Sequence, residues 1–369
     1  MRIPLSSPDL TDAEISAVAS VLRTPLLSRG PKLEEFESAF AQYIGAGCTV
    51  AVSSGTSGLH LCLRALGVGE GDEVIIPSFA FVAVANAVRY ERAVPIMVDI
   101  ERDTRNLDPR QVEAAITNRT RAILVVHTFG VPADLEEFLA IARRHHLLLI
   151  EDSCEALGAD YRGKKVGTLG DAGVFAFYPN KQMTTGEGGM VAVRDHKIAE
   201  RVRCLRDHGR SASEDWLQYT ELGFNYRLPE LSCALGIEQL KRLDAMLKRR
   251  AAIAEAYDQL LRTSPNLKLP PLSLPNRKIS WFAYVVELGD RLTQTERDHI
   301  WREMRERGIE CGRYFGPIHW QPAYRTSHNR HPLSISEFVA SRTLVLPFFN
   351  RITQEQMEEV AENLQSLTQ

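Results

Sequence analysis

The chain reads as an α/β protein, with a mostly parallel central sheet, helices on both of its faces, and a small α+β C-terminal domain. Three observations predict it. Short, continuous Val/Ile/Leu runs alternate with helical patterns over the first half of the chain, as strands buried on both faces do. One long helical stretch, 228–261, follows them, and beyond it strand and helix patterns mix. Finally, 369 residues suffice for about two domains. Residues 1–245 are read as the large domain, with an N-terminal segment able to pack on the small one, and residues 246–369 as the small domain.

Thr11-Asp12-Ala13-Glu14 is a capping box that opens a helix through Leu22, with Ile15, Val18, Ala19 and Leu22 at helical spacing. Thr24-Pro25 ends it, and Ser28-Arg29-Gly30-Pro31 is a turn. A second amphipathic helix, 32–44, carries Leu33, Phe36 and Phe40 on one face and stops at Gly45-Ala46-Gly47. Then come strand 48–52, helix 56–66, strand 73–76, helix 82–89, strand 95–99, helix 111–116, strand 122–127, helix 134–145 and strand 147–151. Strands 174–177 and 190–193 complete the series. In such a sheet, ligands bind at the carboxyl ends of the strands. Of the last third, 267–275 holds three prolines and reads as extended, 281–286 as a strand, and 294–307 and 353–367 as helices.

Apolar content of 44% and charged content of 25% are ordinary for a globular protein, and a net charge of −3 gives no pull toward nucleic acid or anionic membrane. Basic runs such as Lys248-Arg249-Arg250 read as solvated helix faces. The six cysteines are scattered without metal spacing, which predicts reduced thiols and no metal site. Cys154, close to Asp152, reads as small buried filler. The N-terminus shows no signal-peptide pattern, and no apolar run approaches membrane-spanning length, so the expected location is the cytoplasm.

The chemistry concentrates in Asn180-Lys181-Gln182-Met183-Thr184-Thr185-Gly186-Glu187-Gly188-Gly189, a polar, glycine-rich loop after a strand. An isolated lysine is usually a surface charge. This one has company: Asp152 ends another strand, and Ser53-Ser54-Gly55-Thr56-Ser57-Gly58 opens a helix. A lysine for a Schiff base, a carboxylate for a pyridinium and a helix N-terminus for a phosphate are what pyridoxal 5′-phosphate needs from a protein. Each has a bland counterpart: Asp152 as a turn residue, the serines as an N-cap, Phe81 as core rather than a ring stacked on a flat ligand.

Taken together, the motifs resemble the DegT/DnrJ/EryC1/StrS sugar aminotransferases from Leu5 to the C-terminal helix. The landmarks are Ser54-Gly55-Thr56, Pro77-Ser78-Phe79-Ala80-Phe81, Val126-His127-Thr128-Phe129-Gly130 with Asp134, Glu151-Asp152, Lys181 through Gly189, Gly223-Phe224-Asn225-Tyr226-Arg227 and Tyr314-Phe315-Gly316-Pro317-Ile318-His319. The resemblance implies the fold of type I pyridoxal-phosphate enzymes and a homodimer with shared active sites. It implies Lys181 as the Schiff-base lysine and proton carrier, Asp152 as partner of the ring nitrogen, and Phe81 as the stacking ring. Gly55, Thr56 and Ser57 would hold the phosphate, and Asn225 would reach the phosphate in the neighbouring subunit. Arg227, Tyr314 and His319 are candidates for sugar or diphosphate contacts.

Two positions depart from the family pattern. Ala176 stands in Phe175-Ala176-Phe177 where Phe-Ser-Phe is usual, which removes a phosphate hydroxyl contact. Glu155 stands where glutamine or histidine is usual, and a carboxylate beside the cofactor's phenolic oxygen needs a proton or a cation. The loop Thr184-Thr185-Gly186-Glu187-Gly188-Gly189 is similar to members that aminate C4 of a nucleotide-linked 4-keto-6-deoxyhexose, with glutamate as donor, as for perosamine-type sugars of O-antigen polysaccharide. The alternatives are an aminotransferase for a keto-cyclitol of antibiotic biosynthesis and a non-catalytic regulatory relative. The second predicts a damaged lysine or an added DNA-binding domain, and the sequence has neither.

Overall fold

The computed structural model describes residues 2–210, 218–325 and 332–369. Helices α1 (Asp12–Val21) and α2 (Pro31–Ile44) lead into four strand–helix pairs and a fifth strand: β1 (Cys48–Val52), α3 (Gly55–Ala65), β2 (Glu73–Pro77), α4 (Ala83–Tyr90), β3 (Val94–Val98), α5 (Pro109–Ala115), β4 (Thr120–Val126), α6 (Leu135–His145) and β5 (Leu148–Asp152). Short β6 (Asp160–Tyr161) and β7 (Lys164–Lys165) follow, then β8 (Ala172–Ala176), β9 (Gly189–Val193), α7 (His196–Arg206) and the long α8 (Glu230–Leu261). The remainder is β10 (Leu267–Lys268), β11 (Arg277–Lys278), β12 (Tyr284–Leu288), α9 (Gln294–Glu306), α10 (Ser334–Arg342), β13 (Thr343–Leu346) and α11 (Gln354–Leu367).

Seven strands form one sheet in the order β1-β9-β8-β5-β4-β2-β3. Only β9 runs against its neighbours, and the other pairs are parallel. Both faces are apolar because both are covered. Val50, Val74, Leu124 and Val174 pack under α3, α4 and α7, while Ile75, Ile123, Val125 and Leu149 pack under α5 and α6. Helix α3 lies close to the sheet: a Cβ on Gly58 would come within 2.7 Å of a Val174 methyl. Parallel pairing puts the ends of β4, β5 and β8 side by side, with Asp152 opposite both Val126 and Val174.

Helix α8 spans two cores. Its first half buries Leu240, Leu243 and Met246 beside Phe36, Phe40, Phe175 and Phe177, whose rings meet edge-on or tilted at 5.1–6.1 Å. Its second half buries Ile253, Ala254 and Tyr257 against Tyr284, Val286 and Leu344 of the β10-β12-β13 sheet. Ile3 joins this second core and bridges to Ile309. Each fully buried aromatic or aliphatic side chain contributes roughly 1.5–3 kcal/mol.

Three differences from the sequence reading have physical causes. The strand expected at 281–286 begins only at Tyr284, because the Trp281 and Phe282 carbonyls accept hydrogen bonds from Arg250 instead of pairing in a ladder. Arg250 itself, read as a solvated residue, is 3% exposed. Helix α7 was not anticipated, because charges dominate its sequence. Asp195 caps its N-terminus, and Ala199, Val202 and Leu205 are its buried apolar residues, with Ile198 partly buried against the same core.

Candidate active site

A cavity of about 490 Å³ opens at the carboxyl ends of β4, β5 and β8, with Val126, Asp152 and Ala176 at its floor. The loop between β8 and β9 delivers Lys181 to it. That loop is closed by its own backbone: Phe177 N donates to Gly188 O at 2.9 Å and Thr185 N to Phe177 O at 3.0 Å. Gly188, with φ of +159°, packs so close that a Cβ would meet the Thr185 hydroxyl at 2.2 Å. The Thr184 and Thr185 hydroxyls are spent inside the loop, on Phe177 O and Glu187 O.

The lysine amine lies 3.7 Å from Glu155 Oε1 and 4.0 Å from the centre of the Phe282 ring. Glu155 is 6% exposed, and its Oε2 accepts the Phe129 N–H at 2.9 Å. Burial pushes its carboxyl above the ordinary range, although the Lys181 charge and the Phe129 N–H act the other way. At 3.7 Å the ion pair is loose, and desolvation wins. Cys154 lines the same cavity, and burial, together with the Asp152 charge, raises its thiol far from reactivity.

Asp152 is 8% exposed, and its Oδ1 accepts the Cys154 N–H at 3.0 Å. Among the described residues it has no cationic partner. A buried carboxylate facing a cavity in this way suits a cation supplied by a ligand. The residue before it is anchored hard. Glu151, fully buried, accepts from His127 Nε2 at 3.1 Å and from the Gly167, Leu169 and Gly170 amides. Burial opposes the Glu151 charge, but these donors hold its carboxyl below the ordinary range. His127 Nδ1 accepts the Ala133 N–H at 3.0 Å, so this landmark pair fixes backbone rather than ligand. Asp134 likewise braces Tyr161 and Arg277.

The N-terminus of α3 forms another wall, with Ser54, Gly55 and Thr56 lining the cavity. Its first amides have no intrahelical acceptors and attract an anion. Ser57 turns away. Its hydroxyl and amide both bond within the capping box with Ser54, at 2.8–3.0 Å. A methyl at Ala176 occupies the place of the missing hydroxyl, in van der Waals reach of Gly55.

Aromatic rings complete the enclosure. Phe81 is 61% exposed at the rim, 6.3 Å from Phe315 between ring centres, and Tyr314 stacks on Phe315 at 5.3 Å. Burial raises the Tyr314 hydroxyl's pKa, with the Glu155 charge adding to it. The structure thus brings together Gly55, Thr56, Phe81, Asp152, Glu155, Lys181 and Tyr314.

Three residues lie elsewhere in this chain. His319 is held by Ser78 and Glu337 at 2.6 and 3.0 Å. Arg227 pairs with Asp207 at 2.6 Å in a separate cleft, and Asn225 is exposed beside it. Sequence reasoning passed over Phe282, Phe315, Asn180 and Tyr178 as lining residues. Phe315 stood inside a quoted landmark and could have been found. Phe282 carried no signal apart from an apolar strand-like run.

A lysine amine, an unpaired buried aspartate, an anion-seeking helix end and a flat aromatic rim fit pyridoxal phosphate in kind and in placement. Residues 8–365 match the DegT/DnrJ/EryC1/StrS aminotransferase family. The chain belongs to that family. The aminotransferase is 40% identical over 361 residues to a GDP-perosamine synthase of Caulobacter vibrioides, covering 97% of this chain and 96% of the relative. Its structure superposes with a TM-score of 0.93 on an aminotransferase from Streptoalloteichus hindustanus, 34% identical, covering 99% of this chain and 98% of that one. A Streptococcus pneumoniae protein described as a sugar aminotransferase, in its PLP form, superposes with a TM-score of 0.95 at 26% identity, covering 100% of this chain and 99% of that one. The fold is that of the type I pyridoxal-phosphate transferases. The protein is therefore a pyridoxal-phosphate-dependent transaminase that acts on a sugar with an amino donor. No helix among the described residues is long and apolar enough to cross a membrane.

Proposed function

We propose that this aminotransferase moves an amino group from glutamate to C4 of a nucleotide-linked 4-keto-6-deoxyhexose, as in the making of perosamine-type sugars for polysaccharide. The observation that carries the reading is the likeness, over 97% of this chain, to a GDP-perosamine synthase. The Thr184-Thr185-Gly186-Glu187-Gly188-Gly189 loop supports it.

When bound, the cofactor supplies an electron sink for the carbon that loses its proton. The chain's own residues do the rest. The Lys181 amine would hold the cofactor, and its Nζ is the group placed to take up and return the proton of the reacting carbon. Asp152 keeps a proton on the ring nitrogen by offering a buried negative charge. The amides of Gly55 and Thr56 bind phosphate. Phe81 and Phe315 wall the reacting centre from water. Glu155 holds a proton of its own more readily than an ordinary carboxylate, which removes the repulsion a second anion would bring.

The active enzyme is proposed to be a homodimer, in which Asn225 and Arg227 of one subunit complete the cavity of the other. Neither residue lines the Lys181 cavity of its own chain, which supports this. The test is direct. Enzyme loaded with pyridoxal phosphate is given glutamate and GDP-4-keto-6-deoxymannose, and products are read by mass spectrometry. One 2-oxoglutarate per 4-amino sugar is expected. Amination of a 3-keto sugar or a keto-cyclitol, with every 4-keto nucleotide sugar left intact, would overturn the C4 reading.

A further inference from the structure

Arg250 sits in the middle of α8 with 3% exposure and, among the described residues, no carboxylate partner. A buried guanidinium without a counter-ion is costly. Burial lowers its pKa to about 10, which leaves it charged at neutral pH. Its hydrogen bonds account for its place. Nη1 donates to the Trp281 and Phe282 carbonyls at 3.3 and 3.2 Å, and Nη2 donates to the Lys181 carbonyl at 3.3 Å. Phe282 is the residue whose ring lies 4.0 Å from the Lys181 amine. One planar group therefore grips the main chain of the lysine and the main chain of the ring that its amine rests on. The two segments are about a hundred residues apart in sequence and come from different parts of the fold.

We propose that Arg250 is the positioning residue for Lys181: its fork ties the main chain of the lysine to that of Phe282, and so sets where the lysine nitrogen lies in the cavity. The proposal rests on Lys181 being the cofactor lysine. A rigid fork suits the task, because it makes bonds in fixed directions, which an ammonium cannot. Cationic amines are favoured over an aromatic face, so a displaced ring removes a contact that helps to hold the amine in place. The other titratable groups lining the Lys181 cavity are Asp152, Cys154, Glu155, Tyr178, Glu187 and Tyr314, while Asp9 lies on the Arg250 side. None of these bonds to Arg250 among the described residues, so replacing it leaves them in place.

The experiment compares wild type, Arg250→Lys and Arg250→Met, each saturated with pyridoxal phosphate. Folding is checked by circular dichroism, and the bound cofactor's visible absorbance is titrated against pH. Folded Arg250→Lys is expected to shift the titration midpoint by roughly one pH unit and to lower kcat about 10-fold or more, with KM for glutamate within about 3-fold. A folded variant whose midpoint and kcat match wild type would overturn the proposal. If neither variant folds, Phe282→Leu carries the test: the same midpoint shift is expected, and an unchanged midpoint refutes it. Borohydride reduction and peptide mapping separate the two levels. Cofactor mass absent from the Lys181 peptide would sink the lysine assignment. An unmoved midpoint with the mass on that peptide would sink only the role of Arg250.

Discussion

Two concave regions of this molecule differ in a way that composition hides. The cleft between α2 and α7 is the larger, about 680 Å³, and is crowded with arginines. The Lys181 cavity is smaller, about 490 Å³, with one cation among the described residues and aromatic walls. In the cleft the charges answer one another: Arg206 pairs with Glu37 at 2.6 Å, Arg227 with Asp207 at 2.6 Å and Arg201 with Glu221 at 3.2 Å. In the cavity, among the described residues, Asp152 has no cation and Glu155 has a loose one. Chemistry follows the charges that burial leaves unbalanced, rather than the number of charges. The arginine-rich cleft, whose named charges are already paired, offers less of that imbalance.

The largest test of this contrast is Lys181→Ala. It should abolish both the cofactor's violet absorbance band and 2-oxoglutarate release, a loss of about 10⁴-fold or more. Mixing it with Asn225→Ala subunits sharpens the comparison. If the exposed region of one subunit completes the cavity of another, hybrid dimers carry one intact site, and co-refolded mixtures should recover up to about a quarter of wild-type activity. No recovery would break the link between the two regions. Next comes Asp152→Asn, which keeps the bond to the Cys154 amide but removes the charge. A drop of roughly 10²–10³-fold in kcat is expected, measured in single turnovers with glutamate.

Two buried carboxylates give the third test, because their pKa values shift in opposite directions. Glu14 caps Thr11 and accepts from Gln239 and Arg242. Burial opposes its charge, but these donors prevail and lower its pKa from 4.5 to about 2. Its stabilising effect is present above the unfolded value and is lost as pH falls through the folded one. Glu14→Gln should therefore cost about 1–3 kcal/mol at pH 7, and progressively less from pH 4.5 down to about 2. Glu155 has the reverse sign. Its raised value favours the folded state fully below the unfolded value of 4.5, and that advantage is lost as pH rises through the raised folded value. Glu155→Gln should raise the melting temperature of cofactor-free protein by about 2 °C at pH 8 and leave it unchanged at pH 4. The smallest effect belongs to the cleft. Arg201 is 42% exposed at its side chain, and Arg201→Ala should change stability by less than about 1 kcal/mol in thermal melts.

The strands were legible because each is a short apolar run between helices, and the reading of β1 and β5 holds to within a residue or so. The lysine, the aspartate and the helix end were legible as a set, because a cofactor with three distinct handles leaves three distinct marks. Arg250 was not legible. It stands in a run of basic residues, Lys248-Arg249-Arg250, and only the depth of α8 between two cores separates it from its exposed neighbour Arg249. His319 is a different case. It reads as a ligand in its motif, yet Ser78 and Glu337 claim both its nitrogens.

By itself the sequence determined the alternation of strands and helices, the family, and the residue types the chemistry requires, since all three are written in local pattern. The tertiary structure decided which of those residues share a cavity, which polar groups are already bound, and which charges are left unbalanced. Those outcomes depend on burial and on partners far away in the chain, such as the Lys181 and Phe282 carbonyls that one arginine gathers.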